Sequence, residues 1–302
     1  MAIIVIVTFF ILINVVTIFH AYRFTHFADK EIYCSIDSNN LSLLEKLNVL
    51  IFGIKNPHPV NTTTPTWNYE TICIDSNNMI ECWKIDLIEP KGEVAIFHGY
   101  AGKKSSMLDR ANEFLKLGYS VLLVDFMGSG GSEGKRTSIG FFEASQVKLS
   151  YDCLSHENKY LYGTSMGSVA ILKAINDYGI KPKGIMLECP YGTMYKAVRN
   201  RFWNMGLPAF PFAYLLVFWG GILNCFWAFS HNAIDYAGFV ECPTLLLHGE
   251  SDTKVTKKEI SDIYKKLRGK KTLKTYGNTG HDNIYSNNRD QWTLDIIDFM
   301  AH

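Results

Sequence analysis

From Tyr69 to the end of the chain, short apolar runs alternate with segments of helix length, and no other feature of the sequence restricts the fold so much. Parallel strands cannot be joined by tight turns; each needs a crossover, and the usual crossover is a helix. The spacing predicts an opening antiparallel pair over 70–74 and 79–87, joined by the turn signal Asp75-Ser76-Asn77-Asn78. Buried strands are expected over 94–98, 120–125, 159–164, 184–188, 243–248 and 272–276. Helices are expected near 106–117, 139–153, 166–178, 256–268 and 288–301. The fold class is therefore α/β, a mainly parallel central sheet flanked by helices. All parallel strands deliver their carboxyl ends to one edge, where chemistry should collect.

One of those strand-to-helix junctions carries Gly163-Thr164-Ser165-Met166-Gly167. A serine on such a sharp turn occupies strained backbone, and the residues two before and two after it must be small to avoid neighbouring main chain. Glycine meets that need at both positions. Lys159-Tyr160-Leu161-Tyr162 reads as the strand leading in, and Ser168–Ala174 as the helix leading out, a frame that a surface Gly/Ser turn would lack. Ser165 is thus a candidate nucleophile.

A serine hydroxyl needs a base to remove its proton. Of nine histidines, His281 is favoured: it lies in the loop Gly277-Asn278-Thr279-Gly280-His281, between the last strand and the last helix. His248 ends a strand, where packing or a supporting hydrogen bond is the expected role. The acid should follow a strand and precede the histidine, and His248-Gly249-Glu250-Ser251-Asp252 does so. A carboxylate there fixes the imidazole tautomer. Asp252, deeper in the turn, is preferred to Glu250, and Glu188 is a weaker substitute. An oxyanion hole needs two backbone N–H donors; Met166 supplies one, and Tyr100, in His98-Gly99-Tyr100-Ala101-Gly102 after the first buried strand, supplies the other. Gly128-Ser129-Gly130-Gly131-Ser132 lacks phosphate-loop and dinucleotide spacing and reads as a turn only.

Together, His98-Gly99-Tyr100, Asp125 followed by Gly128-Ser129-Gly130 and Ser132, Gly163-x-Ser165-x-Gly167, Asp252 and Gly280-His281 resemble the α/β-hydrolase superfamily, over about residues 69–302. More narrowly, the chain is similar to the branch with monoacylglycerol lipases, serine aminopeptidase-like hydrolases and their membrane-anchored relatives. That resemblance implies a Ser165–His281–Asp252 triad, an acyl-enzyme intermediate and no cofactor. It does not fix a substrate, because the fold hosts many. Tyr100 departs from the small or polar residues found there in some relatives.

Residues 2–22 contain no Asp, Glu, Lys or Arg and are long enough to cross a bilayer as a helix. A cleaved signal peptide is the rival; the run lacks a preceding basic residue, is long for such a segment, and has Phe19 two positions before the small residue Ala21. An uncleaved N-terminal anchor is therefore expected. Arg23, Asp29, Lys30 and Glu31 leave its orientation undecided. Residues 23–68 form a linker, with a short helix over 41–52 and a proline-bearing loop over 56–66.

A second charge-free stretch lies between Arg201 and Asp235. A span over 211–229 would put Ser165 across the membrane from Asp252 and His281, so the reading is instead an apolar cap inserted over about 190–236. Its aromatics either touch lipid or line an acyl pocket, or merely cover the core; both readings stand. With 30 basic and 29 acidic residues and no basic stripe, nucleic acid is not an expected partner. The seven cysteines show no zinc-ligand spacing, so no metal is expected; Cys73 and Cys82 either face each other across the hairpin or are reduced strand residues, the reading preferred. The expected function is hydrolysis of carboxylic esters of lipophilic acyl groups at a membrane. Thioester or peptide hydrolysis on the same triad, and a silent scaffold of the same fold, are the alternatives.

Overall fold

The computed structural model describes residues 1–28 and 43–301, so Cys34, His302 and the flanking charges at 29–31 lie outside the described residues. The chain divides into two compact units, Met1–His58 with Thr193–His231, and Pro59–Gly192 with Asn232–His302.

The second unit is built on one eight-stranded sheet: β1 (Glu70–Ile74), β2 (Ile80–Ile85), β3 (Glu93–Phe97), β4 (Ser120–Val124), β5 (Lys159–Thr164), β6 (Gly184–Glu188), β7 (Thr244–Gly249) and β8 (Lys271–Tyr276). Their order across the sheet is β1-β2-β4-β3-β5-β6-β7-β8. β2 runs antiparallel to both β1 and β4, and the remaining pairings are parallel. β3, β4 and β6 are buried along their whole length, as strands covered on both faces must be. Alternate residues serve the two faces. Val94, Ile96, Tyr162, Met186 and Leu247 join one core with Phe114 of α3 (Leu108–Lys116) and Trp292 of α11 (Arg289–Met300).

The other helices of this unit are α4 (Glu143–Asp152), α5 (Met166–Tyr178), α8 (Ala233–Ala237) and α9 (Lys257–Lys266), which lie between consecutive strands, and α10 (Ile284–Asn287), which follows β8. Local chemistry sets their ends. α5 stops at Gly179, which adopts the left-handed conformation (φ 61°) and donates its N–H to Ile175 O at 3.0 Å. α9 starts with a reciprocal cap, the Thr256 hydroxyl accepting from Glu259 N–H and the Glu259 carboxylate from Thr256 N–H.

In the β1–β2 register, Cys73 stands opposite Glu81 while Cys82 stands opposite Ile72. Residues directly opposite share a face, so the two cysteines point to different faces and no bridge across the hairpin can form. Both are free thiols.

Among the described residues, the α-helices of the first unit are α1 (Ala2–Thr25), α2 (Leu43–Phe52), α6 (Met194–Asn204) and α7 (Phe212–Leu223). α1 is long and apolar enough to cross a membrane by length and composition, while α7, equally apolar, is only 12 residues long.

Candidate active site

Every group of the site comes from the second unit. β5 ends at Thr164 and α5 begins at Met166, leaving Ser165 alone to reverse the chain at φ 51°, ψ −107°. A non-glycine residue in that region is strained and persists only where the surroundings hold it. Here Ser165 N–H donates to Glu188 O at 2.7 Å, tying the turn to the end of β6. Gly163 and Gly167 are obligatory for the same geometry. A Cβ on Gly163 would lie 2.6 Å from the Gly167 carbonyl carbon and the Ser168 nitrogen, and one on Gly167 would lie 2.5 Å from Phe97 O.

His281 brings its Nε2 to 3.0 Å from Ser165 Oγ, and its Nδ1 to 2.7 Å from Asp252 Oδ2. With Nδ1–H donating to the carboxylate, Nε2 is left unprotonated and accepts the Ser165 hydroxyl. The other carboxylate oxygen accepts backbone N–H groups from Lys254 at 2.8 Å and Val255 at 2.9 Å. Burial of the Asp252 carboxyl pushes its pKa up, but the His281 hydrogen bond and charge and these two amides outweigh it and hold the group below the ordinary carboxylate value. Asp252 therefore stays ionised beside the imidazole.

The other candidates fall elsewhere. Glu250 is exposed and accepts from Thr275 Oγ1. Glu188 is buried in a separate cluster, paired with Arg110 at 2.8 Å and accepting the Tyr162 hydroxyl. His248 is buried with Nδ1 4.0 Å from Asp252 Oδ2, and neither ring nitrogen has a hydrogen-bond partner among the described residues. Packing rather than hydrogen bonding is its place. Burial pushes its pKa down, against the pull of Asp252.

Met166 heads α5, so its amide is among the free N–H groups at a helix N-terminus, where partial positive charge gathers. Gly99 lies against the serine: a Cβ there would be 3.6 Å from Ser165 Cβ. Tyr100 follows in a tight turn closed by Gly102 N–H to Gly99 O at 3.0 Å.

What holds that turn was not visible in the sequence. Lys104 is fully buried; its Nζ donates to Glu81 Oε1 at 2.6 Å and to Asp125 Oδ2, and it sits 4.5 Å from the Trp83 ring centroid. Its backbone N–H donates to Asp125 Oδ1 at 2.6 Å, and Asn61 Nδ2 to Asp125 Oδ2 at 2.7 Å. The Gly128–Ser132 segment is a turn, as expected, but a turn with a purpose: a Cβ on Gly130 would overlap the Asp125 carboxylate, and one on Gly131 the Glu81 carboxylate. His98 adds a second tie, donating from Nδ1 to Gly99 O at 2.7 Å and accepting Phe126 N–H on Nε2 at 3.1 Å.

Cys189, just after β6, was also missed as part of the site. Its Sγ and the donor atoms of Asp252 and His281 lie within 4.8 Å of one another, a grouping that could in principle hold a metal ion. Burial, then the charges of Asp252 and Glu188, push this thiol well above its ordinary pKa. A protonated thiol is a poor ligand, and Asp252 and His281 already satisfy each other.

Comparison with known proteins agrees with this architecture. Residues 88–211 match the family model described as Hydrolase_4, serine aminopeptidase, S33. The uncharacterized protein YqkD of Bacillus subtilis (strain 168) is 25% identical over 214 residues, covering 68% of this chain and 70% of that protein. Lysophosphatidylserine lipase ABHD12 of Danio rerio is 26% identical over 181 residues, covering 54% of this chain and 44% of its own length. Among solved structures, the Pyrococcus furiosus esterase Pf2001 superimposes with a TM-score of 0.66 at 21% identity, covering 81% of this chain and 96% of that one. The esterase EaEST of Exiguobacterium antarcticum gives 0.60 at 19% identity, covering 77% and 100%. The chain has the α/β-hydrolase fold, and over residues 88–211 its sequence is similar to that of this hydrolase family.

Proposed function

We propose that the protein is a serine hydrolase that cleaves carboxylic esters of lipophilic acyl groups, held at a membrane by α1. The observation that carries this reading is the continuous hydrogen-bonded series from Ser165 Oγ through His281 to Asp252. His281 Nε2 takes the hydroxyl proton as Ser165 Oγ attacks the ester carbonyl. The amides of Met166 and Tyr100 receive the developing oxyanion. His281, now protonated and paired with Asp252, gives its proton to the leaving alcohol, and an acyl-serine remains. A water molecule then repeats the sequence, losing its proton to His281 and releasing the acid and the free serine. No step draws on a cofactor.

The ester reading is supported by the esterases and the lipase among the similar proteins. Peptide hydrolysis on the same triad is a second reading, favoured by the aminopeptidase description of the matching family model. The membrane reading is supported by α1, a 24-residue helix whose most apolar 18-residue stretch carries a mean hydropathy of 2.9.

The test is activity on p-nitrophenyl esters of short and long chains, with the wild type set against Ser165→Ala, and labelling by a phosphonate probe. Turnover rising with chain length, labelling at Ser165 and loss of both in the variant are expected. A wild type as inert as the variant and unlabelled by the probe points to a scaffold. Labelling without ester turnover, but with release of N-terminal residues from peptides, points to the peptidase.

A further inference from the structure

We propose that α7 is a re-entrant membrane helix, sharing the hydrocarbon core with α1 and pinned to it by a hydrogen bond from Trp219 Nε1 to Asn14 Oδ1; the partner of its outer face is bilayer lipid. This rests on the reading of α1 as a membrane anchor, and goes beyond it to a segment nearly two hundred positions away.

Asn14 is the starting point. It stands midway along α1, ~18 Å from either end at 1.5 Å per residue, and so near the middle of a hydrocarbon layer ~30 Å thick. An amide at that depth is costly unless its polar atoms are bonded. One Asn14 Nδ2 proton goes to Phe10 O at 2.9 Å within the helix, and the Oδ1 acceptor is met by Trp219 at 2.9 Å. The donor comes from α7, which fixes α7 beside α1 at the same depth. Phe10, Ile11, Val15, Leu215 and Phe218 line a cleft of about 550 Å³ around that bond.

The rest of the insertion fits the same environment. Residues 202–234 carry no charged side chain. α7 is 12 residues long, ~18 Å, too short to cross and of the right length to enter and return. In hydrocarbon the freed backbone groups at helix ends must find internal partners. At the entry, Ala213 N–H donates to Ala209 O and Leu215 N–H to Pro211 O; at the exit, Asn224 N–H donates to Gly221 O and Phe226 N–H to the same carbonyl. Asn224 Nδ2 donates to Gly220 O at 2.9 Å. Leu207, Phe210, Tyr214, Ile222 and Trp227 are all about half or more exposed, a surface that water would penalise and lipid would not.

Cations mark where the layer ends. Arg23 closes α1, and Arg201 of α6 stands 5.5 Å from the Phe24 ring centroid. Arg199 stands 4.1 Å from the ring of Trp203, an arginine–tryptophan pairing suited to the headgroup level. Below that level no charge occurs in either α1 or α7.

The full-length protein is reconstituted into phosphatidylcholine vesicles brominated either near the headgroup or near the terminal methyl of the acyl chain. The Trp219 signal is the emission difference between the wild type and Trp219→Phe. Greater loss of that signal with the deep bromines is expected. Loss chiefly with shallow bromines, or with an aqueous quencher, overturns the proposal. Should Trp219→Phe fail to fold, Leu215→Cys serves instead. Because Cys73, Cys153 and Cys225 are free and exposed, the readout is the labelling that the variant adds over the wild type. No added labelling by a membrane-impermeant maleimide in intact vesicles, and one added thiol once detergent is present, is expected; added labelling in intact vesicles overturns the proposal. Carbonate extraction runs alongside. Protein that stays in the membrane but fails the depth measurement removes the re-entrant helix and leaves the anchor, whereas protein that washes off removes both.

Discussion

Three histidines in the second unit differ in what surrounds them, and the differences set their tasks. His281 has a carboxylate on one nitrogen and a hydroxyl on the other. Replacing Asp252 by Asn keeps the shape but offers the imidazole no ionised acceptor, so kcat on a p-nitrophenyl ester should fall by about 10⁴ with KM little changed. A variant with near wild-type kcat would show that the acid lies elsewhere. His98 and His248 are buried, and burial holds both below the ordinary histidine pKa. A histidine depressed on folding binds its proton more readily when unfolded. Its contribution to stability is therefore complete above about pH 6.5 and lost as pH falls toward the folded value, by at most about 1.4 kcal/mol per pH unit for each proton. Asp252, also depressed, adds to the loss at lower pH. Urea midpoints should thus drop between pH 7.5 and 5. In His248→Phe, which keeps an aromatic ring and removes the proton site, the drop should be shallower. Parallel slopes in the two proteins would exclude His248 from the acid response.

The elements that carry these residues depend on features of unequal visibility. Lys104 is buried against Asp125 and Glu81, and Lys104→Met would leave two carboxylates without their cation, a change that typically costs about 3–5 kcal/mol. Because the Lys104 amide and side chain also hold the turn bearing Tyr100, activity should fall in the fraction that remains folded. A variant with unchanged denaturation midpoint and turnover would reduce the cluster to decoration. Nothing in the sequence singled out Lys104, since a lysine among polar neighbours in a loop looks solvated until the fold buries it. The same blindness hid Arg110, whose partners Tyr162 and Glu188 lie far along the chain on two different strands. The strands themselves were legible, because β3, β4 and β6 must be apolar on both faces and so appear as unbroken runs. The strand-turn-helix around Ser165 was legible too, since steric need leaves only glycine at 163 and 167. The hairpin cysteines were ambiguous for a simple reason: their relation turns on a register offset of one residue, which turn chemistry leaves unspecified.

At the scale of the molecule, near-neutral net charge conceals an uneven distribution: residues 2–22 and 202–234 hold no charged side chain. A chain tethered only by a removable N-terminal helix should become soluble when residues 2–22 are deleted. The pairing of α1 with α7 argues for a different outcome. Deletion strips α7 of its neighbour, leaves Trp219 without its acceptor, and uncovers Leu215 and Phe218 beside the already exposed Tyr214 and Ile222. Apolar area returned to water costs about 25 cal/mol per Å², so the truncated protein should still seek lipid or detergent. Full-length protein is expected to stay in the membrane through carbonate extraction. The deletion variant is expected to sediment with membranes as well, and to aggregate when purified without detergent. A deletion variant that runs as a clean monomer in plain buffer would mean that α7 tolerates water, and the insertion would then have to be read as a covering for the core and not as a lipid contact.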